Sequence, residues 1–307
     1  AEFRVAGRKL FAYDSNDPLS IRHMMRIAVI GLGKLGSVPA AVLAEAGYTV
    51  IGVDIDPRPV NAVRQGRAPV REPGLEVLIA RNRQRLSATM DCEQAAAEAD
   101  ITFIVAPTPS EPDGAFSMRH VLAAAEPLGR ALARAQGFRV VVLSSTVLPG
   151  STGGLLQPAL ESASGKRCGE DFGLCYNPEF IALGTVARDI RNPDIVLIGE
   201  SDPRSGELLE ALYRRVCVNG APVRRMNFVN AELAKISVNT YVTLKISYAN
   251  MLAGLCERLP GADVDVVTAA VGGDSRIGTK CLKGGLGYGG PCFPRDNLAL
   301  DTLARRL

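Results

Sequence analysis

No two cysteines in this 307-residue chain have the CxxC spacing. The seven present, Cys92, Cys168, Cys175, Cys217, Cys256, Cys281 and Cys292, are odd in number and scattered. That pattern argues against a disulfide framework and against a structural zinc site, so no metal is expected and a reducing cytoplasm is the natural setting. No apolar run reaches the roughly 18 to 20 residues needed to span a bilayer, and no basic start followed by an apolar stretch marks a secretory signal. Neither a membrane span nor export is expected. A charge excess is missing too: 35 basic against 32 acidic residues leave +3 at pH 7, too little to argue for nucleic acid or an anionic membrane as partner. Internal repeats and low-complexity tracts are absent as well. What is present is an ordinary globular balance, 47% hydrophobic and 22% charged, at a length with room for two structural units.

Residues 1–24 are polar and without periodicity, and are expected to be an extension outside the fold. From Met25 the chain alternates short β-branched runs with Gly-rich turns and Ala/Leu-rich helical stretches. The runs Ile27–Ile30, Val50–Val53, Ile101–Val105, Val140–Leu143 and Ile195–Ile198 are short and almost continuously apolar, as strands buried on both faces are. This predicts an α/β fold: a Rossmann-type, doubly wound parallel sheet over residues 25–225 that binds a dinucleotide. A second region, 226–307, begins with one long helix from Asn230 to Arg258 that Pro260-Gly261 would stop. A short helix near Val264–Val271, a Gly-rich loop over 272–290 and a last helix opening near Asp296 complete it. The long helix carries Ile236, Val242, Leu244, Ile246, Met251, Leu252 and Leu255, on more faces than one sheet can cover, so a homodimer through it is expected.

Gly31-Leu32-Gly33-Lys34-Leu35-Gly36 follows the first run directly and opens a helix. A lone GxGxxG is a weak signal, but a strand before it, a helix after it and an acid closing the second strand make it a strong one. Gly31 allows the tight turn, Gly33 lets backbone amides approach a pyrophosphate, and Gly36 lets helix and sheet pack closely. Asp54, twenty-three positions after Gly31, is placed to accept ribose hydroxyls and to repel a 2′-phosphate, which favours NAD over NADP. Arg58 nearby is the one feature that could welcome a 2′-phosphate.

Cys292 lies in Gly289-Gly290-Pro291-Cys292-Phe293-Pro294-Arg295-Asp296, on a Gly/Pro-shaped loop just before a helix, where a reactive thiolate would be favoured. Lys235 and Asn239 are four apart on the long helix and so share one face. At that spacing alone they read equally as solvated surface. Thr146 and Glu179 each follow a strand, at the sheet edge where such folds bind ligands, but either could be a cap or turn residue.

Seven ordered motifs now converge. The Rossmann fingerprint, Pro107-Thr108-Pro109, Ser145-Thr146-Val147-x-Pro149-Gly150, Asn177-Pro178-Glu179-Phe180, Ala231-Glu232-Leu233-x-Lys235-x-x-x-Asn239, Asp274-Ser275-Arg276-Ile277-Gly278 and the Cys292 loop together resemble the UDP-glucose/GDP-mannose dehydrogenase family over Met25–Leu307. The Cys-Phe-Pro form resembles the UDP-glucose branch. The resemblance implies a four-electron oxidation of a sugar carbon 6, with two NAD used in turn and Cys292 as covalent nucleophile. It implies oxyanion donors in Lys235 and Asn239, a proton relay at Asp296, a water-positioning Thr146 and a general base in Glu179. Cofactor contacts are implied at Leu32, Lys34, Leu35, Pro107, Thr108 and Thr146, and nucleotide-sugar contacts at Phe180, Gly289 and Arg276, the last reaching a neighbouring subunit. Two departures stand out. Leu183 occupies a position where the family often has a second glutamate, and the family's further nucleotide-binding domain has no counterpart in these 307 residues. The competing expectations are a 3-hydroxyacid-type dehydrogenase, which has no use for Cys292, and a non-catalytic NAD-binding dimerisation module.

Overall fold

The computed structural model describes residues 25–182 and 184–307; the expected extension over 1–24 and the departure at Leu183 lie outside these described residues. Eight strands, β1 (Arg26–Ile30), β2 (Thr49–Val53), β3 (Leu86–Thr89), β4 (Ile101–Ile104), β5 (Val140–Leu143), β6 (Gly173–Tyr176), β7 (Val196–Glu200) and β8 (Val223–Met226), form one sheet in the order β3-β2-β1-β4-β5-β6-β7-β8. The helices among the strands are α1 (Ser37–Glu45), α2 (Pro57–Arg64), α3 (Leu75–Arg81), α4 (Cys92–Glu98), α5 (Arg119–Arg134), α6 (Gln157–Ser164), α7 (Val186–Arg191) and α8 (Pro203–Val216). After the sheet come α9 (Phe228–Cys256), α10 (Val264–Gly272) and α11 (Phe293–Arg306).

The strands are apolar throughout because helices cover both faces, and the period of two assigns the residues. Val140 and Val142 of β5 join Ile27, Val29 and the α1 and α8 side chains in one core, while Val141 and Leu143 join the α5 and α6 side chains in the other. The doubly wound α/β reading therefore holds. Three strands lay outside the sequence reading: β3, β6 and β8 are four residues each and read LSAT, GLCY and VRRM, with too few β-branched residues to stand out.

One expectation is corrected. The sheet is not parallel throughout: β6 and β7 pair antiparallel, Cys175 against Glu200 and Tyr176 against Gly199. The only regular structure between β6 and β7 among the described residues is the six residues of α7. Such a helix is about 9 Å long, too short to carry the chain back to the far edge for a parallel crossover. β7 therefore starts from the near edge, and its end lies next to the start of α9.

α9 begins at Phe228, two residues before the expected start, capped by the Asn227 side chain on the Asn230 amide. α11 opens at Phe293 instead of near Asp296, with Pro294 in its first turn and Cys292 as N-cap. Proline in a first turn costs no hydrogen bond, so the Phe-Pro pair starts the helix where a reading from the acid alone puts it a turn late. Among the described residues no helix is long and apolar enough to cross a membrane, and no cluster of metal-ligating side chains occurs.

The turn between β1 and α1 is closed by backbone against backbone. Gly31 has φ +98°, and a Cβ at Gly36 would sit 1.7 Å from the Gly31 carbonyl oxygen, a backbone atom that cannot swing aside. Gly36→Ala should therefore destabilise the chain by about 3 kcal/mol. Urea unfolding measures this, and a loss below about 1 kcal/mol would mean that the turn relaxes freely.

Candidate active site

Because β2, β1, β4 and β5 are neighbours in that order, the loops at their carboxyl ends form a row. Asp54 follows β2, Gly31–Gly36 follows β1, Pro107 and Thr108 follow β4, and Thr146 follows β5. Three strand spacings, about 14 Å, separate the ends of this row. The β1 turn has the features a dinucleotide pyrophosphate needs. A Cβ at Gly33 would meet nothing within 4 Å, so the approach to the backbone is open. Among the described residues the exposed N–H groups of Gly33, Lys34 and Leu35 make no hydrogen bond within the protein, and α1 directs its N-terminus at the same place. Leu32 is buried and its N–H donates to Asp54 Oδ2 at 2.7 Å, while the Asp56 N–H donates to Oδ1 at 2.9 Å. Two backbone amides thus aim the Asp54 carboxylate and leave it lone pairs for ribose hydroxyls. Arg58 does not oppose this: its guanidinium is paired with Asp56, Nε to Oδ2 at 2.8 Å.

The second half of the site is built by α9. The Lys235 side chain is buried, and its Nζ donates to the Glu179 carbonyl at 2.5 Å and lies 4.4 Å from the centre of the Phe180 ring. Burial pushes the Lys235 pKa below its ordinary value, against the attraction of Asp296, Cys292 and Glu179. One turn on, Asn239 Nδ2 donates to Asp296 Oδ2 at 2.6 Å. Asp296 is 1% exposed, and its Oδ1 is buried without a hydrogen bond, 3.6 Å from Arg295 Nε. Cys292, exposed, stands at the head of α11 with its carbonyl accepting from the Asp296 amide at 2.8 Å. The face shared by Lys235 and Asn239 is thus interior, not solvated surface.

Arg295 joins the two halves: its Nη1 donates to the Thr108 carbonyl at 3.0 Å, and its guanidinium stacks 4.5 Å from the centre of the Phe116 ring. Thr108 Oγ1 donates in turn to the Thr146 carbonyl at 2.7 Å. Cys292, Lys235, Asn239, Asp296, Thr108, Thr146, Glu179 and Phe180 are thereby linked through α9, α11 and the β4, β5 and β6 loops. Arg276 and Gly289 are not. Arg276 is exposed and paired with Asp274 at 2.6 Å, and Gly289 lies in an exposed stretch of loop.

Glu179 faces two ways. Its carbonyl serves Lys235, whereas its carboxyl points into a cavity of about 20 Å³ lined by Phe103, Val105, Ser144, Tyr213 and their neighbours. Oε2 is buried there without a partner, and burial pushes the carboxyl up to about 8, moderated by Lys235. Three residues had no role assigned from the sequence. Glu232 is wholly buried and accepts from two backbone amides across the site; its spacing of three from Lys235 on the same helix was the available signal. Arg295 carries no spacing signal. Tyr213, whose OH donates to Asn177 Oδ1 at 2.5 Å, comes from α8 and had none.

Comparison with known proteins decides the affiliation. Residues 25–217 match the NAD binding domain of the UDP-glucose/GDP-mannose dehydrogenase family, and residues 229–307 match its central domain. The chain belongs to the UDP-glucose/GDP-mannose dehydrogenase family. It is 39% identical over 284 residues to the UDP-glucose 6-dehydrogenase AglM of Haloferax volcanii, covering 92% of this chain and 66% of that protein. To the GDP-mannose 6-dehydrogenase of Pseudomonas aeruginosa it is 35% identical over 287 residues, covering 92% and 65%. The solved UDP-glucose dehydrogenase of the hyperthermophilic archaeon Pyrobaculum islandicum superposes with a TM-score of 0.85 at 40% identity, over 93% of this chain and 65% of that one. The chain thus spans just under two thirds of the length of these relatives. NAD is the cofactor of the matched domain, and the turn, amides and carboxylate described above fit it.

The Glu179 environment generates a pH prediction for this family member. Between the ordinary carboxyl value of 4.5 and about 8, the folded chain keeps a proton that the unfolded chain has lost. Stability contributed at low pH is therefore lost as pH rises through that window. Glu179→Gln should remove this loss, gaining on the order of 4 kcal/mol relative to the parent at pH 8 and almost none at pH 4. Thermal unfolding across pH 4 to 8.5 tests it; parallel pH profiles for the two proteins would refute the assignment.

Proposed function

We propose that this chain performs the NAD-dependent four-electron oxidation of a nucleotide sugar at carbon 6, on UDP-glucose in preference to GDP-mannose, with Cys292 as nucleophile. The observation that carries the reading is the meeting, beside the dinucleotide row, of a helix-capping cysteine with the buried Lys235 and the Asn239–Asp296 pair. A two-electron alcohol dehydrogenase needs no thiol there. The UDP-glucose preference is supported by the Cys292-Phe293-Pro294 sequence and by the slightly higher identity to relatives of that name. Bound NAD supplies the hydride acceptor for both oxidation steps.

Oxidation of the carbon 6 alcohol releases a proton and a hydride and leaves an aldehyde. Cys292 Sγ then forms a bond to the aldehyde carbon, and the oxygen that becomes negative lies in reach of Lys235 and of the second Asn239 N–H, the two donors of an oxyanion site. Loss of the second hydride converts this thiohemiacetal to a thioester. Water adds to the thioester carbonyl, the C–S bond breaks, and its electron pair returns to sulfur. In sum, one alcohol, one water and two NAD become one carboxylate, two NADH and three protons. Thr146 orients the water, and Asp296, beside Lys235, passes the proton. Glu179, with a carboxyl near 8, is matched to general-base work close to neutral pH. Phe180 and Gly289 border the sugar, and Arg276 reaches the nucleotide sugar held by the partner subunit. The functional division falls near residue 225, and the setting is cytoplasmic, in keeping with seven unpaired thiols.

The homodimer expected through α9 belongs to the same reading, with one revision: Ile236 is fully buried within the chain and cannot contribute. Tyr241, Leu244, Tyr248, Met251 and Leu255, alternately three and four apart, form an exposed apolar stripe, and a second copy would cover it. Light scattering at micromolar concentration should show a dimer for the parent and a monomer for Leu244→Asp; a monomeric parent would remove the idea.

The thiol separates chemistry from fold. Cys292→Ala should keep NAD binding while losing the carboxylate product by at least about a thousandfold, because no group remains to capture the aldehyde. Cys292→Ser can still attack but forms an ester that hydrolyses slowly, so intact-mass spectrometry after incubation with UDP-glucose and NAD should reveal a covalent adduct. An alanine variant forming the uronic acid at the parental rate would exclude Cys292 as nucleophile.

A further inference from the structure

The loop that carries Thr146 is held from the side by a carboxylate. Glu232, in the second turn of α9, is 0% exposed; its Oε2 accepts from the Gly150 N–H at 2.6 Å and its Oε1 from the Thr152 N–H at 2.7 Å. Gly150 is itself exposed, with φ +91°. Its backbone therefore has a conformation few residues adopt and no hydrophobic packing to hold it. From the other side Thr108 Oγ1 holds the Thr146 carbonyl, and Ser145 Oγ donates to the Ala106 carbonyl at 2.5 Å. Residues 144–152, with Val147 and Leu148 packed into apolar cores and Thr152 opening the helical turn Thr152–Leu156, are thus tied by hydrogen bonds to the β4 loop on one side and on the other to one buried carboxylate, which also lies one turn from Lys235 on the same helix face.

We propose that Glu232 is a positioning residue for the nicotinamide half of the cofactor: by gripping both ends of Gly150–Thr152 it fixes the height of Thr146 relative to Lys235. The row of loops supplies the direction. With the adenosine ribose at Asp54 and the pyrophosphate at the β1 turn, the remaining half of the dinucleotide extends toward Thr108 and Thr146. Glu232 touches only the last segment of that row. The inference rests on the assignment of Thr146 to the cofactor site and does not require Cys292 chemistry or a particular sugar.

Glu232→Gln is nearly isosteric, yet it sets an NH₂ opposite one of the two amide donors, so one hydrogen bond is lost and two donors face each other. Calorimetric titration of the full chain with NAD and with ADP-ribose, which lacks the nicotinamide, reads the consequence without turnover. NAD affinity should fall about tenfold and ADP-ribose affinity should change less than about twofold. Equal weakening of both would make Glu232 a structural prop only, and no change in either would overturn the proposal outright. The unchanged chain provides a second measurement should the variant not fold. Amide exchange at Gly150 and Thr152 should be slow and should slow further with NAD but not with ADP-ribose. Open-loop exchange rates, or equal slowing by both ligands, would overturn it. Failure of the nucleotide-sugar reading would leave both measurements intact, since neither involves sugar.

Discussion

The buried polar edge of α9 is the constraint on which the site depends. Four side chains on one stripe of this helix fasten three segments: Glu232 the loop after β5, Lys235 the loop after β6, and Asn239 and Thr243 the adjacent Asp296 and Asn297 of α11. The three segments lie far apart in sequence. A single rigid helix converts their separate positions into one geometry, because residues three, four and seven apart repeat along the same face. Long helices buried on one side are ordinarily apolar there, so a stripe of Glu, Lys, Asn and Thr is a departure from packing economy and marks function.

Burying these groups has an electrostatic consequence that the fold meets unevenly. Glu232 is fully satisfied by two amides, and its position is accordingly fixed. Lys235 and Asp296 offset each other's burial in part and share neighbours, but the Asp296 Oδ1 and Glu179 Oε2 oxygens are buried without partners. Buried polar atoms without partners are rare and costly. Here they lie in two different places, Glu179 Oε2 in the cavity beside Tyr213 and Asp296 Oδ1 in the first turn of α11. The surrounding framework, with apolar cores on either side of an eight-stranded sheet, is what tolerates such atoms.

Much of the architecture was legible because it rests on local rules. The β-branched runs announced five strands, the Gly31–Gly36 spacing announced the β1–α1 turn, and the Pro-free stretch after Asn230, poor in turn residues, announced α9. β3, β6 and β8 were not legible, since LSAT, GLCY and VRRM become strands only through the neighbours they pair with. The reversal of β7 was hidden for a related reason: strand direction is set by how far a connection can reach, and that depends on how long α7 is.

At the site the same boundary holds. The sequence by itself determined which residues are chemically capable: a cysteine ahead of a helix, a lysine and an asparagine on one helix face, a carboxylate at the end of β2 and glycines at the dinucleotide turn. It could not tell whether Lys235 and Asn239 faced water or the interior, because a helix has the same periodicity on either side. Only the tertiary structure decided that, by packing α9 against β7 and α11. It alone turned Glu179 so that its carbonyl meets Lys235 while its carboxyl enters a cavity beside Tyr213. Glu232 became a clamp only when Gly150 and Thr152, some eighty residues earlier in the chain, were folded against it. Residue type and local spacing are properties of the chain, whereas burial and long-range hydrogen bonding are properties of the packed whole.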